Sequence, residues 1–312
     1  MRNAFVQGVL DNIRENKRTL FVTADLGFNF FEPIQEYPDN YLNIGISEQN
    51  MAGVAAGMAL EGWHVIVYSI GNFSTLRCLE QIRNDICYHD AHVTIVSGGG
   101  GLSYGTLGMT HHSTEDIAIM RSLPNMQVFT PANDKDVQVI LRHTHSQKSP
   151  AYIRLERTSA DSNSLESGCV FDSIPFAIGH DITIFSVGSI VDEAMEARAI
   201  LAKSGIIASV VSLPCIKPID KKAVIRACQE SKILVTLEEH NVIGGLGGAI
   251  TDVILDLGLN PQSFLKFGLK DEFSATVGTQ KYLRKHFGID ATSVATKVKQ
   301  HLGSGEQYVK DY

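Results

Sequence analysis

Along the first half of the chain, segments whose hydrophobic residues have helical spacing alternate with segments typical of β-strands. Segments such as EQNMAGVAAGMALEG (48–62) and DKDVQVILRHTHSQ (134–147) have apolar residues at helical spacing. Between such segments lie short runs rich in β-branched residues and bounded by turn residues, which is typical of buried strands. These runs are TLFVTAD (19–25), HVIVYSI (64–70), HVTIVSG (92–98), MQVFTPA (126–132) and AYIRLER (151–157). The alternation predicts a largely parallel sheet covered by helices on both faces.

A polar stretch divides the chain into two such units. TSADSNSLESG (158–168) is rich in small, turn-forming residues and indicates a linker. Beyond it the alternation resumes, with ITIFSVGS and KILVTLEE as strands around the helical pattern IVDEAMEARAILAKSG. The prediction is therefore an α/β protein with two doubly wound domains and mostly parallel sheets, at residues 1–165 and 175–312.

Composition narrows the classes of function. The chain has 312 residues, of which 44% are hydrophobic and 20% charged, as in ordinary globular proteins. A net charge of −7 gives no basic face for general nucleic-acid binding. No apolar run has membrane-spanning length, and the first twenty residues have an amphipathic helix pattern rather than that of a signal peptide. We expect a cytoplasmic protein that binds neither membranes nor nucleic acid.

The cysteines give no sign of a disulfide framework or a metal cluster. They are odd in number, scattered, and without a CxxC pair, so we expect reduced thiols and no metal site in this chain. The five are Cys78, Cys87, Cys169, Cys215 and Cys228.

A carboxylate stands at one predicted strand-to-helix junction. In YLNIGISEQNMAGVAAGMALEG (41–62), Glu48 follows a short strand and opens a helix of small residues. The helix dipole favours an acidic side chain there, which is one explanation. Open α/β sheets also bind ligands at such junctions, so a binding role stays open.

Two adjacent histidines lie in a loop that glycines interrupt, SYGTLGMTHHSTED (103–116). Ser113 to Asp116 have the pattern of an ordinary helix start and are expected to be structural. His111 and His112 precede that start, in a loop, where catalytic residues concentrate. No third ligand at a suitable spacing accompanies them, so we do not expect them to bind a metal.

Aromatic and basic residues at other strand ends have two explanations each. Phe73 could be a core residue or a stacking platform for a flat heterocycle. Arg77 and the charges that follow it indicate a solvated or subunit-facing helix surface. Arg154 and Arg157 end the last strand of the first unit, where they could bind a phosphate or carboxylate or form a salt-bridged surface pair.

Together these stretches resemble the C-terminal two-thirds of transketolase, nearly end to end. The resemblance is nearest to transketolases encoded as two chains, and it extends to deoxyxylulose-phosphate synthase and the β subunits of 2-oxo-acid dehydrogenases. It rests on ADLG (24–27), NIGISEQNMAGVAAGMALEG (43–62), FSTLRCLEQIR (73–83), GMTHHSTEDIAIMRSLPNMQVFTPAN (108–133), SPAYIRLER (149–157) and EEHNVIGGLGGAI (238–250).

The resemblance implies a pyrimidine-binding domain, a C-terminal domain and thiamine diphosphate as cofactor. In the family, a further domain binds the diphosphate and a Mg²⁺ or Ca²⁺ ion through a Gly-Asp-Gly motif followed by Asn. No Gly-Asp-Gly occurs in this sequence. We therefore expect an N-terminal transketolase-like partner subunit that carries this motif, an α2β2 heterotetramer, and no activity of this chain alone.

The resemblance also implies roles for individual residues at the cofactor. Glu48 matches the glutamate that hydrogen-bonds N1′ of the aminopyrimidine ring and controls its proton. Phe73 matches the aromatic residue that stacks on that ring. Asp25 and Leu26 match the cofactor-facing Ala-Asp-Leu, and His111 matches the active-site histidine near the donor substrate.

Substrate recognition departs from the family pattern. Arg157 matches the arginine that holds a substrate phosphate. However, Leu107 stands where the family aspartate reads an acceptor hydroxyl, and Gly99 stands where a substrate-binding histidine is expected. Ile70 and Leu76 replace two further aromatics around the cofactor. Cofactor activation is thus expected to be kept, with altered recognition of sugars.

The expected reaction is transfer of a two-carbon ketol unit from a ketose or ketose phosphate to an aldehyde acceptor. One alternative is a component of a 2-oxo-acid-decarboxylating synthase or dehydrogenase. Another is a non-catalytic homologue with a scaffolding role. Glu48 and His111 favour an enzyme, because packing requires neither of them.

Overall fold

Two α/β units make up the part of the chain that the structure, a computed structural model, describes: residues 1–27, 29–157, 160, 163–165 and 170–308. The architecture confirms the predicted fold class of two doubly wound units with mostly parallel sheets. The expected linker at 158–168 lies mostly outside the described residues, as does Cys169. The domain bounds 1–165 and 175–312 stay predictions.

The first unit is built on a seven-stranded sheet. Its strands are β1 (Thr19–Thr23), β2 (Tyr41–Asn43), β3 (His64–Ile70), β4 (Val93–Gly98), β5 (Gln127–Phe129), β6 (Ala151–Leu155) and β10 (Cys215–Lys217). They lie in the order β10-β5-β6-β4-β3-β1-β2. Neighbouring strands are parallel except β10, which is antiparallel to β5.

The second unit has a five-stranded sheet. Its strands are β7 (Ile174–Ala177), β8 (Ile182–Ser186), β9 (Ala208–Ser212), β11 (Ile233–Asn241) and β12 (Phe264–Leu269). The order is β12-β11-β8-β9-β7, and only the β7–β9 pair among these described strands is antiparallel.

Helices connect the strands. They are α1 (Arg2–Glu15), α2 (Glu32–Gln35), α3 (Glu48–Leu60), α4 (Gly71–Ser74), α5 (Leu79–Gln81), α6 (Asp116–Ser122), α7 (Asp134–Ser146), α8 (Val191–Ala202), α9 (Lys221–Glu230), α10 (Leu246–Asp256), α11 (Gln280–His286) and α12 (Ala291–Tyr308). Single 3-10 turns occur at Pro38–Asn40, Leu76–Cys78, Gly105–Leu107 and Gly188–Ile190, and Ile82–Cys87 is π-helical.

The two faces of the first sheet carry separate hydrophobic cores. Along β1, Leu20 and Val22 belong to the cluster that contains Met51 of α3. Phe21, between them, belongs to the opposite cluster with Phe5 of α1. Successive side chains of a strand point to opposite faces, so a run that is buried throughout packs helices on both sides.

Strand β10 links the two units through the backbone. It comes from the second half of the chain but pairs with β5 of the first sheet, with Cys215 opposite Phe129. Just beyond β5, Thr130 donates from its backbone N–H to the carbonyl oxygen of Pro214 at 2.7 Å and from Oγ1 to that of Leu213 at 2.9 Å. The units therefore share a hydrogen-bonded sheet as well as packed side chains.

Candidate active site

The residues singled out from the sequence meet at one edge of the first sheet. Strands β2, β1, β3 and β4 are adjacent and parallel, so the segments that follow them leave the sheet on the same side. Asp25 and Leu26 follow β1, Glu48 follows β2, and Phe73 follows β3. The loop at 99–112 follows β4. This edge is where open α/β sheets bind ligands.

Glu48 is the first residue of α3, and its side chain is only 2% exposed. Ser69 Oγ donates to Glu48 Oε1 at 3.2 Å, and Arg77 Nη1 donates to Oε2 at 2.7 Å. A buried carboxylate needs such donors to offset the loss of hydration. Burial, and secondarily the Glu48 carboxylate, raise the pKa of the neighbouring Cys78 thiol to about 12, so Cys78 stays protonated at neutral pH.

Phe73 lies half-buried between a cation and an imidazole. The Arg77 guanidinium carbon is 4.4 Å from the centroid of the Phe73 ring. The His111 ring meets the same ring in a T-shaped contact with centroids 5.3 Å apart. Phe73 therefore contacts both His111 and Arg77, the ion-pair partner of Glu48.

Arg77 does not behave as an ordinary surface charge, although its side chain is 43% exposed. The helix expected around Arg77 is instead a succession of short turns: α4, a 3-10 turn, α5 and the π-helical segment. These changes of pitch direct Arg77 towards Glu48. The sequence predicted a solvated or subunit-facing surface at Arg77, and the structure adds an ion pair with Glu48 that a helical pattern does not reveal.

Asp25 and Leu26 lie on the same edge of the sheet as Glu48. Asp25 is exposed and has a positive φ of 52°. Asn43, at the end of β2, holds it from both sides: Asn43 Oδ1 accepts from the Asp25 backbone N–H and Asn43 Nδ2 donates to Asp25 Oδ1, both at 3.0 Å. Leu26 is half-buried and packs against both cores of the unit.

The two adjacent histidines have different environments. His111 is half-buried, and its Nδ1 lies 3.0 Å from Thr110 Oγ1. His112 is buried, its Nε2 is 3.4 Å from the Gly105 carbonyl oxygen, and burial lowers its pKa. His111 is thus the histidine that faces Phe73, whereas His112 packs inside the loop.

The residues that follow His112 are not a conventional helix cap. Helix α6 begins at Asp116, and none of the described side chains caps its start with a hydrogen bond. Ser113 instead forms a backbone bridge with Gly101, which closes the base of the loop. Asp116 accepts from Tyr152 Oη at 2.6 Å and from Arg154 Nε at 3.0 Å.

Leu107 and Gly99 are the two departures from the family pattern at positions where substrate-binding residues were expected. Leu107 lies in the 3-10 turn of the loop and is 54% exposed. Gly99 has a φ of +83°, and the ring of Tyr104 lies where a Cβ at position 99 would be. A histidine side chain therefore has no space at position 99, and Tyr104 occupies that volume.

A cavity of about 250 Å³ opens beside this loop. The Arg2 guanidinium lies 4.9 Å from the Phe30 ring centroid, and Arg2 donates to Tyr104 Oη. The wall includes Arg2, Leu26, Phe30, Tyr68, Ile70 and Tyr104. Sequence reasoning missed Arg2 and Tyr104, because neither belongs to a recognisable motif and each acquires its position only through the fold.

The two arginines after β6 differ. Arg157 is exposed, and its backbone N–H donates to Ser103 Oγ at 3.3 Å, which ties it to the loop after β4. Arg154 is fully buried and pairs with Asp116 and Glu156, both at 3.0 Å. Arg154 is thus neither a ligand-binding residue nor part of a surface pair.

No group of three or more His, Cys, Asp or Glu side chains in the part of the chain that the structure describes could hold a metal ion. None of its helices is both long and apolar enough to cross a membrane.

Comparison with known proteins identifies the family. Residues 1–162 match the pyrimidine-binding domain of transketolase, and residues 177–294 match its C-terminal domain. An apulose-4-phosphate transketolase subunit of Actinobacillus succinogenes is 35% identical over 266 residues, which cover 84% of each chain. The chain belongs to the transketolase family.

The arrangement as a separate subunit also has a structural parallel. A solved split-gene transketolase, an inactive β4 tetramer, is 32% identical with a TM-score of 0.85 and covers 96% of this chain and 97% of that one. These relatives are transketolase subunits, and this chain is a transferase subunit of that type.

A second branch of relatives consists of longer proteins. The 1-deoxy-D-xylulose-5-phosphate synthase of Syntrophus aciditrophicus is 31% identical over 94% of this chain, which spans 45% of that protein. The similarity thus extends to an enzyme other than a transketolase.

Proposed function

We propose that this chain provides the pyrimidine-binding half of a thiamine-diphosphate-dependent transketolase active site. The observation that carries the proposal is the buried carboxylate of Glu48, which accepts hydrogen bonds from Ser69 and Arg77. The Arg77 guanidinium also lies over the Phe73 ring, which His111 contacts in turn. A protected carboxylate next to a half-buried aromatic ring fits a flat heterocycle with a protonatable nitrogen. Leu26 and Ile70 add apolar surface at the same edge.

Each of these residues has a task that its environment supports. Glu48 would hold and exchange a proton with the ring nitrogen, and Ser69 would keep one carboxylate oxygen in place. Phe73 would orient the ring by stacking. His111, held near Thr110 Oγ1, would donate a hydrogen bond to the substrate beside Phe73. When bound, thiamine diphosphate supplies the electron sink for making and breaking the carbon–carbon bond.

The other half of the site is proposed to come from a partner chain. That chain would carry the Gly-Asp-Gly…Asn motif that binds the diphosphate and Mg²⁺ or Ca²⁺, in an α2β2 heterotetramer. The inactive β4 assembly of the split-gene relative supports this division, and so does the A. succinogenes relative, whose name describes one subunit of a transketolase. A cytoplasmic location remains a prediction from the sequence.

The substrate is proposed to be a sugar or sugar phosphate that differs from the standard pentose phosphates. Leu107 offers no hydrogen bond to an acceptor hydroxyl, and Tyr104 fills the space at Gly99. Arg157 is the candidate ligand for a substrate phosphate, since it is exposed and its backbone is tied to the loop through Ser103. The name of the A. succinogenes relative supports sugar phosphates as a class.

The decisive experiment is reconstitution with the partner chain, thiamine diphosphate and Mg²⁺. Glu48→Gln keeps the shape of the side chain but removes the proton exchange, so kcat should fall by about 100-fold or more. The exposed Glu80→Gln is the matched control and should retain wild-type kcat. Wild-type activity of Glu48→Gln would exclude the proposed proton exchange. An inactive wild-type complex would instead favour a scaffolding role.

A second candidate is decarboxylation of a 2-oxo acid with carboligation, which the synthase relative supports. Offering pyruvate and ketose phosphates separately to the same complex distinguishes the two reactions. Release of CO₂ from pyruvate, without ketol transfer from ketoses, would favour the synthase.

A further inference from the structure

Arg77 makes, within this chain, the two contacts that the proposed function assigns to the pyrimidine ring. Its Nη1 donates to Glu48 Oε2 at 2.7 Å, and its guanidinium lies 4.4 Å from the centroid of the Phe73 ring. A guanidinium is planar, carries N–H donors beside a positive charge, and stacks on aromatic faces. It therefore offers Glu48 and Phe73 the same chemistry as a protonated aminopyrimidine.

The contact also explains how the isolated chain tolerates a buried acid. With Ser69 on Oε1 and Arg77 on Oε2, both oxygens of the Glu48 carboxylate have a donor. An unpaired carboxylate at this depth would be strongly unfavourable. Arg77 thus stabilises Glu48 in the absence of a ligand. A cofactor ring that binds to Glu48 and Phe73 must therefore compete with Arg77.

The position of Arg77 permits it to move away. Its side chain is 43% exposed, and it lies in the short 3-10 turn at Leu76–Cys78 rather than in a long helix. The guanidinium can therefore turn into solvent without disrupting the sheet or the core.

We infer that Arg77 is a displaceable placeholder for the cofactor ring. It pairs with Glu48 and covers Phe73 until thiamine diphosphate replaces it, and so it weakens cofactor binding by the free energy of those two contacts. This inference rests on the proposed function, because it takes the assignments of Glu48 and Phe73 from it.

The test measures cofactor affinity rather than turnover. Equilibrium dialysis of thiamine diphosphate at saturating Mg²⁺ is carried out on the complex of this chain with its partner, for the wild type, Arg77→Met and Arg83→Met. Methionine keeps an unbranched apolar stem but removes the charge and the donors. Arg83 is exposed on the adjacent π-helical segment, where it donates to Asn84 at 2.6 Å, and is the matched control.

Arg77→Met should lower the Kd for thiamine diphosphate about 3- to 10-fold, in line with the loss of one half-exposed ion pair and one cation–π contact. Arg83→Met should leave Kd unchanged. In the Glu48→Gln background, the effect of Arg77→Met should shrink, since the ion pair is already absent.

An unchanged or raised Kd in Arg77→Met would overturn the inference. So would loss of subunit assembly in Arg77→Met but not in Arg83→Met, measured by analytical ultracentrifugation, because Arg77 would then be a subunit contact. If the wild-type complex binds the cofactor and Arg77→Met binds it no more tightly, the inference alone fails. If neither complex binds it, the proposed function fails as well.

Discussion

Arg154, near the end of β6, donates from Nη2 to the backbone carbonyl oxygen of Glu239 in β11 at 2.7 Å and so joins the two sheets. The same Nη2 donates to the carbonyl oxygen of Ser113 at 2.9 Å, and the Glu239 carboxylate accepts from the backbone N–H of Leu102 at 2.8 Å. Leu102 and Ser113 lie at the two ends of the loop that carries His111. The second unit therefore anchors the loop that carries His111 at its base.

Removing the Arg154 cation should be strongly destabilising. Arg154→Met would leave Asp116 and Glu156 buried without the cation that they now share. Breaking a buried pair from one side costs about 3–5 kcal/mol, which urea unfolding of this chain would measure. Asp252→Asn is the control, because Asp252 pairs with Arg121 between the same two units but is 66% exposed. Asp252→Asn should lower the free energy of unfolding by less than about 1 kcal/mol. Equal losses of stability in the two variants would contradict the importance of burial for the ion pairs of Arg154.

The convergence of Glu48, Phe73 and His111 was predictable, because each follows a parallel strand and the three strands belong to one sheet. The alternation of periods also predicted strands β1, β3, β4, β5, β6, β8 and β11. These features depend on local sequence and on general rules of α/β topology.

The contacts that sequence reasoning missed join segments distant in the chain. Nothing local to Cys215–Lys217 indicates that this strand leaves its own unit for β5. At the glycine-rich start of α10, the buried Glu238 carboxylate accepts hydrogen bonds from the N–H groups of Leu246 and Gly247. In both cases the partner is fixed by tertiary structure, which periodicity does not encode.

Restoring the expected histidine at position 99 should damage the fold rather than improve the site. Gly99→His places a side chain at a φ of +83° and within the volume of the Tyr104 ring. Backbone strain alone costs about 1–3 kcal/mol, and the clash adds to it. Gly45→His is the matched control, since Gly45 also has a positive φ, +74°, but the described residues beyond its chain neighbours leave the 4 Å around a Cβ there open. A thermal unfolding midpoint of Gly99→His at or above that of Gly45→His would refute the steric account.

Leu107→Asp should change which acceptors the reconstituted enzyme prefers. The side chain is 54% exposed in the 3-10 turn of the loop, so a carboxylate can stay hydrated there at little cost in stability. It would accept a hydrogen bond from an acceptor hydroxyl, worth about 1–2 kcal/mol or roughly 5- to 30-fold in kcat/KM. Competition between 2-hydroxyaldehydes and aldehydes that lack the hydroxyl measures the ratio of kcat/KM for the two classes of acceptor. Met109→Asp, in the same loop and also exposed, is the control, and an equal change in both variants would point to a general charge effect.

The histidine cluster around the buried His64, at the start of β3, should make stability fall in mild acid. His64 stacks on His92 with ring centroids 4.1 Å apart, and its Nδ1 lies 3.1 Å from His145 Nδ1. Burial, and then the two neighbouring imidazoles, lower the pKa of His64 well below 6.5. In the unfolded chain the same group titrates near 6.5. Between these two pKa values the unfolded state binds more protons, so the stability that neutral His64 provides is complete above about pH 6.5 and is lost as the pH falls.

For each histidine that stays neutral in the folded state, the free energy of unfolding should fall by up to about 1.4 kcal/mol per pH unit. Urea unfolding at about pH 7.5 and about pH 5.5 should therefore show a drop in the free energy of unfolding that is smaller in His64→Phe by about 1 kcal/mol or more. Phenylalanine keeps a flat ring against His92, so its own cost appears at both pH values and cancels from the comparison. His89→Phe, at an exposed histidine, should retain the wild-type drop. Parallel pH profiles for the wild type and His64→Phe would mean that His64 does not govern the acid sensitivity.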